Sequence, residues 1–330
     1  MIKMNPIART GLSIPSLTFG GASLANLFKT LSNREAIDAV EEAIELGWRS
    51  FDTAPHYGSG LSELRLGLGL RDLPRDDYVL STKVGRLLFA RQRPGLEAGD
   101  FFFDENPFDR EYDYSYDGIM RSYEDSLQRL GNRRIDILYA HDVGTYTHGK
   151  TDQERTHFRA LCSSGFRALE ELKASGAIAA FGVGANEEAI LMEVLDHAQP
   201  DIFMLANRYN LLEPRRDAFF GKCAKHGVSV AIAAPFATGI LVTPDKAQAL
   251  YEYGKAPAAV VEKVKALGNI CHQYDVPMGA VALQFPLRNP QVVTVACGIQ
   301  SAEQAQLNLQ WATTGLPDAL WAALAPLGIA

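Results

Sequence analysis

Short, near-continuous apolar runs recur along the chain, separated by segments whose apolar residues return every three to four positions. The runs are "LTFGG" (17–21), "RSFDT" (49–53), "YVLSTKVG" (78–85), "IDILYAHD" (135–142), "AIAAFGVGAN" (177–186), "DIFMLAN" (201–207), "VSVAIAAPF" (228–236) and "VVTVAC" (292–297). Runs of this kind suit strands buried on both faces. The segments between them read as helices. Residues 33–47 place Ala36, Ile37, Val40, Ala43 and Ile44 on one face, between a cap at Asn33 and a terminating Gly47. Residues 117–131, 166–176, 187–198, 213–227, 257–274 and 301–312 continue the alternation. Eight strands alternating with helices predict an α/β protein with a parallel sheet, closed as a (β/α)8 TIM barrel and spanning residues 1–330 as one domain. The rival is an open dinucleotide-binding sheet, which lacks its expected GxGxxG after the first strand.

Two connections, 86–116 and 143–162, are too long for simple loops. They follow the third and fourth strands, so in a barrel they lie on the carboxyl-terminal face, where active sites are built. The first carries Phe89, Phe101, Phe102, Phe103, Phe108, Tyr112, Tyr114 and Tyr116. These rings predict either a lid packed on itself or a wall for a flat or sugar-like ligand.

Composition narrows the field. Of the 330 residues, 47% are apolar, enough for a large core, and the net charge of −7 with interspersed signs favours neither nucleic acid nor an anionic membrane as partner. No apolar stretch approaches the length of a membrane span. The start of the chain lacks the apolar core of a signal peptide. Cys162, Cys223, Cys271 and Cys297 stand far apart without a CxxC pair, which predicts no zinc or dithiol site and fits a reducing cytoplasm. His148 and His157 are poor metal-ligand candidates, and no metal is expected.

On the predicted barrel, Asp52 ends strand two, Tyr57 sits in the loop above it, Lys83 ends strand three and His141 ends strand four. Neighbouring strand ends converge, so four residues distant in sequence face one pocket. Each alone has a plain structural role open to it: a turn acid, a packing ring, a surface charge, a core histidine. Together they suit proton transfer at an oxygen. Lys83 would lower the pKa of the Tyr57 phenol, Asp52 would hold Lys83, and His141 would orient the reacting oxygen. His56, Arg86 and Asp142 flank this set as candidate substrate contacts. A barrel glycosidase would need paired carboxylates, and Asp52 has no acidic partner on strand three.

"FDTAPHYGSGLSELRLG", "LSTKVG" and "ILYAHD" resemble the motifs that carry the catalytic tetrad of the aldo-keto reductases, and the resemblance extends along nearly the whole chain. It implies that Asp52, Tyr57, Lys83 and His141 are that tetrad, and that "IARTGLSIPSL" is an N-terminal β-hairpin closing the bottom of the barrel. "STKVGRLL", "YDYSYDGIMRSYEDSLQRLG", "RYNLLEP" and "VALQFPLRNPQV" are similar to the sugar-oxidising branch, the D-threo-aldose 1-dehydrogenases or L-fucose dehydrogenases. Pyridoxal 4-dehydrogenases and plant-type L-galactose dehydrogenases share much of that pattern. The activity implied is oxidation of an aldose C1 hydroxyl by a nicotinamide cofactor. A pyridoxal dehydrogenase, an aldehyde or ketone reductase, and a non-catalytic cofactor-binding subunit are the alternatives.

The resemblance also implies a cofactor site. Asn186 would reach the carboxamide, preceded here by Ala185 where relatives have Ser. Ala206 replaces a common Gln, and Ala233 replaces a stacking aromatic, leaving Tyr209 or Phe236 to cover the ring. Gly239 and Leu241 belong to the expected pyrophosphate loop. Ser301 and Gln304 have capping-box spacing, which predicts a helix whose free N–H groups suit phosphate, with Asn308 further along it. Gln300 stands where NADP-preferring relatives carry Arg or Lys, so NAD is expected over NADP. The oligomeric state is not legible.

Overall fold

The computed structural model describes residues 2–91, 101–243, 250–252 and 254–329. Eight parallel strands form a closed barrel. They are β1 (Leu17–Gly20), β2 (Ser50–Asp52), β3 (Val79–Val84), β4 (Ile137–His141), β5 (Ala180–Ala185), β6 (Ile202–Ala206), β7 (Ser229–Ala233) and β8 (Val292–Gly298). Each is hydrogen-bonded to the next in sequence, and β8 returns to β1. All eight match the apolar runs; the seventh ends at Ala233, so Phe236 belongs to the loop beyond it.

The runs are apolar throughout because their two faces meet two different cores. Inward residues Val79, Ile137, Tyr139, Ile202, Met204 and Ala231 pack with Ile7 and Ile14 inside the lower barrel. Their sequence neighbours Leu80, Leu138, Phe203, Leu205 and Ile232 pack outward beneath the helices. Ile7 lies in the turn of an antiparallel hairpin, Met4–Pro6 with Ser13–Pro15, and Ile14 lies in its second strand. Asn5 Nδ2 donates to the Val293 carbonyl at 2.7 Å and the Ala8 N–H donates to Ser229 Oγ at 3.0 Å, fixing the hairpin under the amino ends of β7 and β8.

The helices differ from expectation at identifiable points. Ser32, not Asn33, caps the first: its side chain accepts from the Glu35 N–H and Glu35 reaches back to the Ser32 N–H. This is the reciprocal arrangement of a capping box. A helix at Leu61–Gly69, absent from the sequence expectation, follows the loop carrying Tyr57. Its glycines and mixed pattern hide it, because it buries charges instead of a plain apolar stripe. Glu63 is fully buried, accepting from Arg129 Nε at 2.6 Å and Thr82 Oγ1 at 2.8 Å. Arg65 donates to the Leu24 and Leu31 carbonyls and to the Asn26 and Asn33 side chains, so it holds the loop after β1. Further helices at Met278–Gln284 and Asp318–Leu324 also went unanticipated.

The long connections have their own structure. Arg86–Ala90 pairs with Phe108–Tyr112 as an antiparallel ribbon. Helices Thr145–His148 and Asp152–Ala160 fill the other connection.

Candidate active site

Strand alternation aims the chemistry. With Val79 inside the barrel, Ser81 and Lys83 also face inward; with Ile137 and Tyr139 inside, so does His141. In register, Asp52 lies opposite Ser81 and Lys83 opposite Tyr139. The three site residues therefore share the upper layer of the barrel, and all are buried. Lys83 Nζ donates to Asp52 Oδ2 at 2.7 Å and to the Thr53 carbonyl at 2.9 Å, while Asp52 Oδ1 accepts from Ser81 Oγ at 2.7 Å. The ammonium lies 4.9 Å from the centre of the Tyr57 ring.

The Tyr57 loop is built to stay in place. Thr53 and Ser62 hydroxyls pair at 2.8 Å, Ser62 Oγ donates to the Gly21 carbonyl at 2.7 Å, and Gly58 and Gly60 adopt positive φ values of 58° and 86°. At those angles a side chain would be strained.

The electrostatics correct one expectation. Burial raises the Tyr57 phenol above its ordinary value, and nearby Lys83 offsets this only in part. The phenol is thus an acid held protonated. Burial alone would push Lys83 down, but Asp52 and Tyr57 outweigh it and hold the ammonium above its usual range. Burial, reinforced by Arg86 and Lys83, pushes His141 well below the usual imidazole range, so this ring is neutral. Its Nε2 is 3.3 Å from Asp142 Oδ2, and its Nδ1 has no hydrogen-bond partner among the described residues.

These groups open into a cavity of about 650 Å³. That lies within the range of small-ligand sites. Asp52, Tyr57, Lys83 and His141 line it, with His56, Arg86, Asp142 and Asn186. Arg86 Nη2 donates to Asp142 Oδ2 at 2.6 Å, and its guanidinium lies 5.1 Å from the centre of the Tyr112 ring. Asn207 Nδ2 donates to Asn186 Oδ1 at 3.0 Å. The aromatic segment does supply a wall: Phe101, Phe102 and Tyr112 line the cavity. Phe102 lies 6.0 Å from Tyr57 and 5.5 Å from His56.

Other expected cofactor contacts lie outside this cavity wall. Tyr209 is packed against Phe220 and Phe285, with ring centres 4.5 Å and 5.0 Å away. Phe236 rests edge-on against Trp311. Leu241 is fully buried, and Gly239 has φ 93° in the loop after β7. Ser301 caps helix Ala302–Thr313 by accepting from the Gln304 N–H, while Gln304 Oε1 accepts from the N–H of Gln300. The return bond thus falls one residue before the cap. Asn308 is buried on that helix.

Arg110 and Asn207 also line the cavity, outside the motifs that carry the other residues. Arg110 had a signal: Phe108, Arg110 and Tyr112 are the less exposed positions of the ribbon strand, alternating with exposed Asp109 and Glu111. Asn207 had only its place after β6.

His56 and His141 are held well below the usual imidazole range by burial, His148 is pushed down to about 4, and His157 is lowered as well. The unfolded chain regains ordinary histidines and binds more protons below about pH 6.5. The stabilising difference is complete above that pH and is lost as pH falls toward the folded values. The urea midpoint is therefore expected to drop between about pH 7 and about pH 5, with the m-value unchanged. A flat midpoint would contradict the burial assigned to these rings.

A closed parallel barrel with Asp, Tyr, Lys and His gathered at its mouth defines a barrel oxidoreductase. The family comparison agrees: residues 16–328 match the Aldo/keto reductase family, and the chain belongs to it. It is an NAD(P)-dependent oxidoreductase. It is 40% identical to the pyridoxal 4-dehydrogenase of Microbacterium luteolum, covering 98% of this chain and 96% of that one. It is 38% identical to the D-threo-aldose 1-dehydrogenase of a Pseudomonas species, covering 96% and 95%. Among solved structures, the holo form of an aldo-keto reductase from Bacillus halodurans superposes with a TM-score of 0.75 at 28% identity, covering 99% of this chain and 96% of that one. No helix among the described residues is long and apolar enough to cross a membrane, and the chain holds no group of three potential metal ligands among them.

Proposed function

We propose that this protein oxidises the C1 hydroxyl of an aldose such as L-fucose to the lactone, using NAD in preference to NADP. The observation that carries the reading is the buried Asp52–Lys83 pair beside Tyr57, in one cavity with neutral His141. Its relatives at 40% and 38% identity are named for pyridoxal and aldose oxidation. Pyridoxal closes on its own hydroxymethyl group as a cyclic hemiacetal, so the two substrates share a hydroxyl on a hemiacetal carbon. Pyridoxal oxidation is the second reading for that reason.

The cavity fits a nicotinamide beside a small substrate. Ala206, Ala233, Ala296, Gly184 and Gly298 leave its far side bare, and the Asn186–Asn207 pair offers amide groups there. When bound, the dinucleotide supplies the hydride acceptor. Tyr57 exchanges the proton of the C1 oxygen, Lys83 stabilises the phenolate, Asp52 keeps Lys83 charged and in place, and His141 orients the oxygen. Because burial raises the Tyr57 phenol, the unliganded site is poised as an acid. Proton removal then depends on the Lys83 ammonium, which acts against the effect of burial. Phosphates would meet the N–H groups at the start of helix Ala302–Thr313. The four cysteines are free thiols, which supports a cytoplasmic setting.

Gln300 carries no charge to meet a 2′-phosphate. Gln300→Arg is expected to raise the NADP/NAD ratio of kcat/KM by about 10- to 100-fold, the worth of one charge-assisted hydrogen bond. An unchanged ratio would move cofactor choice to another residue. The proposed activity itself is tested by initial rates of NADH formation over L-fucose, D-arabinose, L-galactose and pyridoxal, against rates of aldehyde reduction with NADH. Aldehyde reduction without oxidation of any of these would overturn it.

A further inference from the structure

We propose that Arg110, on the ribbon inserted after β3, is a positioning residue that fixes His56 as an Nε2–H donor toward the substrate hydroxyl on the carbon adjacent to the reacting one. The inference rests on the oxidation reading above and concerns the same cavity. Arg110 Nη1 lies 2.9 Å from His56 Nδ1 and donates to the His56 carbonyl at 3.2 Å. A guanidinium has donors and no acceptor, so His56 Nδ1 must carry its lone pair. Burial, with Arg86 and Arg110 nearby, holds His56 well below the usual imidazole range, so the ring is neutral. A neutral imidazole with a bare Nδ1 carries its proton on Nε2.

The rings of His56, Tyr57 and His141 form a near-equilateral triangle, with centres 6.1, 6.1 and 5.9 Å apart. The reacting oxygen belongs between Tyr57 and His141, which leaves the third corner facing the adjacent position of the substrate. An aldose carries its C2 hydroxyl there; the ring hydroxyl of pyridoxal lies one carbon further from the reacting carbon.

Arg110 is itself held. Its side chain is 9% exposed, and its Nη2 is 3.5 Å from Glu105 Oε2. Glu105 also accepts from Arg91 Nη2 at 2.9 Å and from Ser59 Oγ at 3.2 Å. The ribbon and the Tyr57 loop are thereby joined through the residue that sets the His56 tautomer.

The test compares L-fucose with 2-deoxy-L-fucose, with NAD as oxidant. The wild type is expected to favour L-fucose by roughly tenfold in kcat/KM, the worth of one neutral hydrogen bond. Arg110→Met is expected to remove most of that preference by raising KM for L-fucose, leaving the deoxy sugar nearly unaffected. Arg110→Lys, which keeps a donor, is expected to restore much of it. Equal losses for both sugars, or no loss, would overturn the proposal and make Arg110 a brace for the ribbon. If neither sugar is oxidised, the aldose reading fails by itself. The same contrast is then read in reduction with NADH, using glycolaldehyde against acetaldehyde. Nitrogen-15 NMR of the histidines needs no substrate: His56 is expected as the single Nε2–H tautomer in the wild type and as a mixture in Arg110→Met. A protonated Nδ1 in the wild type would overturn the assignment.

Discussion

Tyr57→Phe is expected to lower kcat by about 10³-fold, within the range that general acid–base groups contribute, while cofactor affinity stays within a factor of two or so. The substitution removes one hydroxyl and keeps the ring. That ring has packing partners of its own: Phe102 at 6.0 Å, His141 nearly perpendicular at 6.1 Å and the Lys83 ammonium at 4.9 Å. None of these contacts needs the oxygen, so the loop should hold its shape. Steady-state rates and an NADH fluorescence titration on the same preparation separate the two effects. Activity within tenfold of wild type would take the proton-transfer role away from Tyr57.

Lys83→Met is expected to damage both rate and stability. Asp52 and Lys83 are buried and paired at 2.7 Å, so removing the cation leaves a carboxylate in the barrel with only the Ser81 hydroxyl on Oδ1. Breaking a buried pair in this way costs about 3–5 kcal/mol. The double variant Asp52→Asn/Lys83→Met removes the stranded charge and should regain part of that stability without regaining turnover. Urea denaturation and kcat, measured for the two variants, give four readings. A single variant as stable as wild type would contradict the pairing, and an active double variant would contradict the role of Lys83.

The fold was legible because barrel strands face two apolar cores. Runs such as "IDILYAHD" therefore stand out without alternation, and their ends locate the mouth. The candidate site was legible where strand ends carry it: Asp52, Lys83 and His141 are inward positions of β2, β3 and β4 that line one cavity, and the pattern alone reaches those positions. The hidden parts satisfy charge by tertiary contact. Helix Leu61–Gly69 buries Glu63 and Arg65 against partners far away in sequence, so it shows no apolar stripe. Arg110 acts through a loop neighbour 54 positions distant. The sign of the Tyr57 shift was also out of reach. A sequence reveals the lysine beside the phenol, but the depth of burial that outweighs it belongs to the folded cavity. With Ala233 in place of a stacking aromatic, Tyr209 is expected to cover the nicotinamide ring, yet its own ring turns to Phe220 and Phe285.

Oxidation as proposed requires that hydrogen leave the hemiacetal carbon of the substrate for the nicotinamide within this cavity. L-Fucose deuterated at C1, incubated with NAD and the wild-type enzyme, tests it most directly through mass spectrometry of the recovered cofactor and sugar. One deuterium is expected in the reduced cofactor for each lactone formed. A reduced cofactor free of deuterium, or deuterium retained in the sugar, would contradict it.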